Sequence, residues 1–507
     1  MARKAPRKTR TRRQKPSTTA AAGTRKSQKK LVPTWEDDPG DPNVTPAPTP
    51  IQVPAPTLGA QPLPTRIGGA APAAKIYQPG TPEFRYYACA TSLRRGSDFW
   101  GGINPGLSWE IGKILPVILD DGVDLNAFYT RGGFGDAPGL HFFHAAVGTR
   151  TFFSCESPDV VCHEMGHAIL DALRPELFDA QTIEAAAFHE SFGDMSAILT
   201  ALQVESFRQR VLTDTQGVLN RNSRLSRLAE QLGAAIRAEH PDAVDRDSLR
   251  NAVNSFFYRD PQTLPPSAPS NALSSEPHSF SRVFTAGFLD VLAGMFKTKG
   301  DGASGEQLVA VTKEAAQLLV AGVKDAPVVP VLAAERRRLA RVEHVRGEAA
   351  PFSGKYRDVM KSAFVRRGIQ SLQAAATVTA APRTGRRSAV AAASIGVLPS
   401  RELPLASISA AAYGLSGMVL KVRAAEQPKK FGVTAASLTA GAADTRSAQN
   451  AAESFTDDLF QRGRVEVEDH AHREAGLVHP HVTKTHVVVK QGADLVLRRR
   501  TFDCGFE

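Results

Sequence analysis

The sequence has little with which to cross-link itself: 507 residues contain four cysteines, Cys89, Cys155, Cys162 and Cys504, and no two stand at a paired spacing. This excludes a disulfide-stapled scaffold and fits a reducing compartment. Long hydrophobic runs are also missing. No stretch of about 18 apolar residues occurs, and the first 30 residues lack the apolar core of roughly 7–15 residues that a secretory signal needs. The expectation is a chain without a membrane span, cytoplasmic by default. No repeat of solenoid length is found either.

What is present is unevenly spread. The formal charge is +11, yet residues 1–30 hold twelve Lys and Arg and no acid, which leaves the rest of the chain at −1. The basic character belongs to a disordered arm, residues 1–32. It reads either as a solvated tail or as a weak contact for nucleic acid or another anionic surface by counterion release, without an aromatic side chain to stack on bases. Residues 33–82 carry 13 of the 34 prolines and read as an extended, solvated spacer. From 83 to 372 apolar density and helical periodicity are sustained, with Trp100 and Trp109 as core candidates; this is the main domain.

Residues 373–430 are rich in alanine and helix breakers and read as a linker. Residues 431–507 form a small β-rich module, in which "GRVEVED" alternates with period two and "THVVVKQGADLVLRRRTFD" predicts two strands joined by a Gln-Gly-Ala-Asp turn. His470, His472, His479, His481 and His486 crowd this module. Pro480 interrupts them and no cysteine accompanies them, so they are read as solvated side chains.

The chemistry concentrates in "VVCHEMGHAILDAL", residues 160–173. On a helix, residues four apart share a face, so His163 and His167 can present both imidazoles to one metal ion with Glu164 beside it. A catalytic zinc needs three protein ligands and one open position. A third histidine at 173, with glycine at 170, is excluded because both positions are leucine. The other source is a second helix. Pro175 ends the first one, and residues 182–202 then run with helical periodicity through "HESFGD", which makes Glu190 the candidate third ligand. Asp194 lies four residues on, placed to accept the second N–H of His163 and fix its tautomer. His189, about 100° around the helix from Glu190, is given a packing or surface role, and Cys162 a place in the core.

These runs, together with others, resemble the thermolysin family of zinc endopeptidases. "NAFY" at 126–129 is similar to the family's edge-strand segment, "DVVCHEMGHAI" and "HESFGDM" to its metal-binding helices, "DSLRN" at 247–251 to its arginine segment, and "PHSFSRVFTAGFLDVL" at 277–292 to the segment opening with its transition-state histidine. "YRDVMKSAFVRRGI" at 356–369 resembles the family's closing helix. The resemblance implies an α+β, two-lobed zincin domain, with a mixed α/β lobe followed by a helical lobe. It implies Zn2+ on His163, His167 and Glu190, with Glu164 as general base and His278 as donor to the developing oxyanion. Arg250 would position the substrate carbonyl, and Asn126 and Ala127 would bind a peptide or protein substrate as an added strand.

Departures are evident. Where the family has a tyrosine donor this chain has Phe178, and Ala201 stands where a calcium carboxylate would, so Asp159 alone does not predict bound calcium. Three functions follow as expectations: a zinc endopeptidase, a zinc-binding scaffold with weakened turnover, and an interaction protein acting through its basic arm and C-terminal module.

Overall fold

The computed structural model of the chain describes residues 30–40, 49–325, 355–369, 405–415, 419–424, 445–467 and 482–504, with residues 1, 352 and 403. The expected basic arm before residue 30, residues 373–402 of the expected linker, and His470, His472, His479 and His481 lie outside the described residues.

The described fold is α+β. Short strands come first: β1 (Leu31–Thr34), β2 (Ile51–Pro54) and β3 (Thr65–Ile67), followed by helix α1 (Pro82–Ile103). Five more strands follow, β4 (Leu115–Ile118), β5 (Ala127–Thr130), β6 (Gly139–Phe142), β7 (His144–Val147) and β8 (Arg150–Phe153). Helix α2 (Pro158–Leu173) and the short α3 (Glu176–Asp179) lead into α4 (Ile183–Ala201) and α5 (Glu205–Thr215). The small pair β9 (Arg227–Leu228) and β10 (Arg250–Asn251) flanks α6 (Glu230–Glu239), and α7 (Pro277–Lys297) and α8 (Gly305–Asp325) complete the helical part with the helix Arg357–Arg366. The last elements are β11 (Leu405–Ser409), β12 (Val419–Arg423), the helix Thr445–Gln461, β13 (Val465–Val467), β14 (His486–Gln491), β15 (Asp494–Arg499) and β16 (Thr501–Asp503).

Residues 33–82 differ from the expected solvated spacer. β1 and β2 pair antiparallel from Leu31↔Pro54 to Thr34↔Ile51, and Val32, Trp35, Glu36 and Asp38 are buried. The reason is local. Trp35 packs edge-on against Phe84 of α1, 5.2 Å between ring centroids. Asp38 accepts from the Gln231 backbone N–H at 2.7 Å and from the Ser157 hydroxyl, tying this segment to the starts of both α2 and α6.

Sharp chemical stops shape the central helices. The Ser157 hydroxyl accepts from Val160 N–H with Pro158 in the first turn of α2, and Thr182 caps α4. Both helices are buried on nearly every face, so they cross inside the core rather than at its surface. The crossing is made by glycines. A Cβ on Gly166 would lie 2.9 Å from the Gly193 Cα, and a Cβ on Gly193 would lie 2.6 Å from the His163 ring. Only hydrogen at both positions lets the two backbones approach this closely. Helix α7 packs beside α4 and has the length and apolar composition of a membrane span, but 83% of that stretch is buried inside the molecule, as expected of a core helix.

The principal sheet has the order β16-β5-β6-β4-β3. Its edge strand is the last one in the chain: β16 pairs antiparallel with β5, Thr501↔Thr130 to Asp503↔Phe128. The C-terminal sheet has the order β11-β12-β15-β14-β13. The predicted strands around Gln491 and Asp494 form β14 and β15, with Gly492 at φ 65° in a tight turn. Two expectations need amending. β11 and β12 extend this sheet back into residues assigned to the linker, and the module is not separate, because its final strand joins the other sheet. His486 is buried rather than solvated, with Nδ1 2.9 Å from the Thr485 hydroxyl.

Glu184, in the first turn of α4, is buried and accepts from the Tyr258 hydroxyl. Burial raises its pKa from 4.5 to about 7, although the hydrogen bond works the other way. The folded state therefore holds this proton more tightly than the unfolded chain, and stability falls as pH rises through that window. Glu184→Gln should remove this fall, gaining up to about 3 kcal/mol over the parent between pH 4 and pH 8 in urea unfolding, at ~1.4 kcal/mol per pH unit. Parallel pH profiles for the two proteins would exclude the effect. Gly193→Ala should displace His163 and lower stability by about 1–3 kcal/mol, seen as a reduced melting temperature.

Candidate metal centre

The crossing of α2 and α4 turns one face of each helix toward a common point. His163 and His167, one turn apart, set their rings 4.7 Å apart and nearly perpendicular. Ligand atoms of His163, Glu164 and His167 all lie within 4.8 Å of one another. From α4, Glu190 places Oε2 3.3 Å from His163 Nε2 and Oε1 3.7 Å from His167 Nε2. The carboxylate is thus brought to both imidazoles from a helix distant in sequence.

Among the described residues, His163 Nε2, His167 Nε2, Glu190 Oε2 and both Glu164 oxygens are buried without a hydrogen-bond partner. A buried polar atom left unpaired costs ~1–3 kcal/mol, and five converging on one spot would be a heavy penalty. Two imidazole nitrogens and a carboxylate are the donor set of a catalytic zinc site, so the residues present fit that ion.

The surroundings hold the ligands in place. His163 Nδ1 is 3.1 Å from Asp194 Oδ1, so the ring donates there and Nε2 is left directed toward Glu190, where a bound metal ion would take the place of a proton. Asp194 also accepts from Arg250 Nη2 at 2.8 Å and from the Thr285 hydroxyl at 3.0 Å. His167 Nδ1 lies 2.9 Å from Nδ1 of His189. With His167 donating, its Nε2 lone pair also faces the centre. His189 packs as expected, buried and stacked on Phe502 at 3.8 Å, and the contact of its Nδ1 with His167 is an addition that its position around the helix did not reveal. Its adjacency to Glu190 was the available signal.

The charge states follow from these contacts. Burial opposes protonation of His163, but the hydrogen-bonded Asp194 and the nearby Glu190 carboxylate outweigh it and lift its pKa to about 9. Burial, then the neighbouring His163 and His189, hold His167 well below its ordinary value, so it is neutral. Glu164 is raised to about 8, chiefly by burial, with Glu190 adding to the rise and His163 opposing it. Asp194 is held well below the usual carboxylate range: Arg250 and His163 overcome its burial.

His278 reaches the same centre from the start of α7, where Glu276 caps the helix and accepts from His278 Nδ1 at 2.6 Å. Burial disfavours its charge, but Glu190 and Glu276 raise its pKa to about 10. Its Nε2 is 3.4 Å from Glu190 Oε2 and donates to the Asp503 carbonyl at 2.6 Å. Arg250, expected to position a substrate carbonyl and the network behind it, has its guanidinium on Asp194, the carboxylate behind His163.

Asn126 and Ala127 lie on the expected edge strand but are already engaged. Asn126 Nδ2 donates to Thr483 Oγ1 at 2.9 Å, and the Ala127 carbonyl accepts from the Cys504 backbone N–H at 3.0 Å. Phe178 is buried with its ring edge-on to Phe502 at 5.4 Å, forming an apolar wall. Sequence reading did not anticipate Phe502, Asp503 or Cys504 at this centre, because nothing local announces a pairing across more than 370 positions. Tyr129 donates to Asp171 at 2.6 Å and belongs to the support beneath the edge strand.

No protein-family model matches this chain, and no curated protein matches it.

Asp194→Asn keeps the shape of the side chain but weakens its grip on His163. The dissociation constant for Zn2+ should rise about 10–100-fold, measured by competition with a chromophoric chelator. An unchanged constant would remove His163 from the ligand set.

Proposed function

We propose that the chain is a zinc-dependent endopeptidase on a thermolysin-like, two-lobed frame. One observation carries this reading: the unpartnered atoms of His163, His167, Glu190 and Glu164 converge in a buried centre beside a sheet edge. The order of parts supports it as well. An edge strand, a helix bearing two histidines and a glutamate, a second helix bearing Glu190, and a third opening with His278 follow one another along the chain.

The chemistry that zinc supplies when held by His163, His167 and Glu190 is polarisation of a peptide carbonyl and acidification of a water molecule toward pKa 7. Glu164 takes the proton from the attacking water and passes it to the departing amine. Burial of the carboxyl favours its protonated form, which suits a group that must take up a proton before giving it away. His278 donates from Nε2 to the carbonyl oxygen as negative charge grows there. One such donor is typically worth about 3 kcal/mol in the transition state. Glu276 orients His278, and Arg250 holds Asp194 on His163. Asn126 and Ala127, at the start of β5, mark where an extended peptide would align if it took the place of the strand now paired there.

A second reading, a zinc-binding scaffold with weakened turnover, is favoured by Phe178, whose ring has no hydroxyl to donate. The two are separated by Glu164→Gln, assayed on a fluorogenic peptide alongside zinc analysis. The peptidase reading expects one zinc per chain in both proteins and a loss of turnover of at least about 100-fold in the variant, the scale of a general base. Equal, measurable turnover in both would end it, and zinc without turnover in the parent and in Cys504→Ser alike would favour the scaffold.

A further inference from the structure

The place where a peptide substrate would add to β5 is filled by the chain itself. β16 runs antiparallel along it, Thr501 and Phe502 opposite Thr130 and Tyr129, and the Cys504 N–H continues the ladder onto the Ala127 carbonyl at 3.0 Å. The segment is anchored on every side. Phe502 stacks on His189 at 3.8 Å and on His167 at 5.1 Å, with the Arg499 guanidinium 4.1 Å from its ring centre. Arg464 donates to the Asp503 carboxylate at 2.8 Å.

Its backbone also meets the catalytic groups. The Asp503 carbonyl accepts from His278 Nε2 at 2.6 Å, the atom that would serve a substrate carbonyl. The Cys504 thiol is buried beside the Glu164 carboxylate, near Arg250. Neither Glu164 oxygen has a well-aligned partner, and the unpartnered Nε2 atoms of His163 and His167 lie close by.

Resting on the metal-centre reading above, we propose that Thr501–Cys504 is a built-in occupant of the substrate cleft. The Cys504 thiol acts as a fourth ligand of the metal ion and holds the full-length chain latent. A thiolate is a strong zinc ligand, and a fourth protein ligand closes the position a catalytic water needs. On ligation the Cys504 S–H bond breaks and the proton passes to Glu164 and then to solvent. Sulfur keeps the electron pair and donates it to the metal, and one water molecule leaves. No oxidant or reductant is involved. An occupant tethered in the same chain competes at an effective concentration on the order of millimolar, so a free peptide must displace both the strand pairing and the thiolate.

The full-length protein loaded with cobalt(II) provides the test. The parent should show thiolate-to-cobalt charge-transfer absorption that Cys504→Ser lacks. In mild urea, which lets the strand open, its Cys504 should resist iodoacetamide with cobalt present and react faster once a chelator removes it. With zinc, Cys504→Ser should cleave a fluorogenic peptide at least about tenfold faster than the parent, as expected for release of a tethered competitor. Phe502→Ala, which loosens the strand but keeps the thiol, should also raise turnover. A parent that binds no cobalt would bring down the metal-centre reading itself. Bound cobalt without the absorption, and without a gain in turnover for Cys504→Ser, would overturn the latency proposal while leaving the metal centre standing. Mass spectrometry showing the parent cut between Asp503 and Cys504, with the Glu164→Gln protein intact, would overturn it too, because the segment would then be a substrate.

Discussion

The close crossing of α2 and α4 is the constraint on which the site depends. Gly166 and Gly193 let the backbones meet where any other residue would hold them apart, and His163 sits directly against Gly193. Because His163 and Gly193 touch, the carboxylates of Glu190 and Asp194, on either side of that glycine in sequence, reach the two nitrogens of the same ring. A wider crossing would break both contacts together.

This geometry concentrates charge in a dry interior. Asp194, Arg250, His163, Glu190, Glu164 and His278 are all largely shielded from water. An isolated ion there would be prohibitive, so each charge is met by another: Arg250 by Asp194, His278 by Glu276. Glu164 and Oε2 of Glu190 are the exceptions among the described residues, carboxylate oxygens near the imidazole nitrogens without donors of good geometry. A divalent cation held between them would complete the balance.

How much of this was legible in the sequence depended on distance along the chain. Period and spacing sufficed for the faces of α2 and α4, and the structure gathers His163, Glu164, His167, Glu190, Asp194, Arg250 and His278 around one point. The β14–β15 hairpin was legible for the same reason, since its turn is local. Three features were not. Proline content suggested a solvated spacer where Trp35 and Asp38 in fact dock on helices far along the chain. His189 was assigned to packing by its angle on α4, and a helix wheel does not show that its ring also reaches His167 on the neighbouring helix. The pairing of β16 with β5 depends on strand partners that share no turn, and side-chain pattern does not encode such partners.

That last pairing also sets an order of events during synthesis. Residues up to about 369 can assemble the histidine centre and its sheet while the C-terminal strand is still unmade. At 5–20 residues per second, the remaining roughly 130 residues take on the order of ten seconds to emerge. For that interval β5 is a bare sheet edge, with unmet amide and carbonyl groups beside a nearly finished centre. A nascent chain is therefore exposed to strand exchange with its neighbours on the same message, until its own last strand arrives and seals the edge.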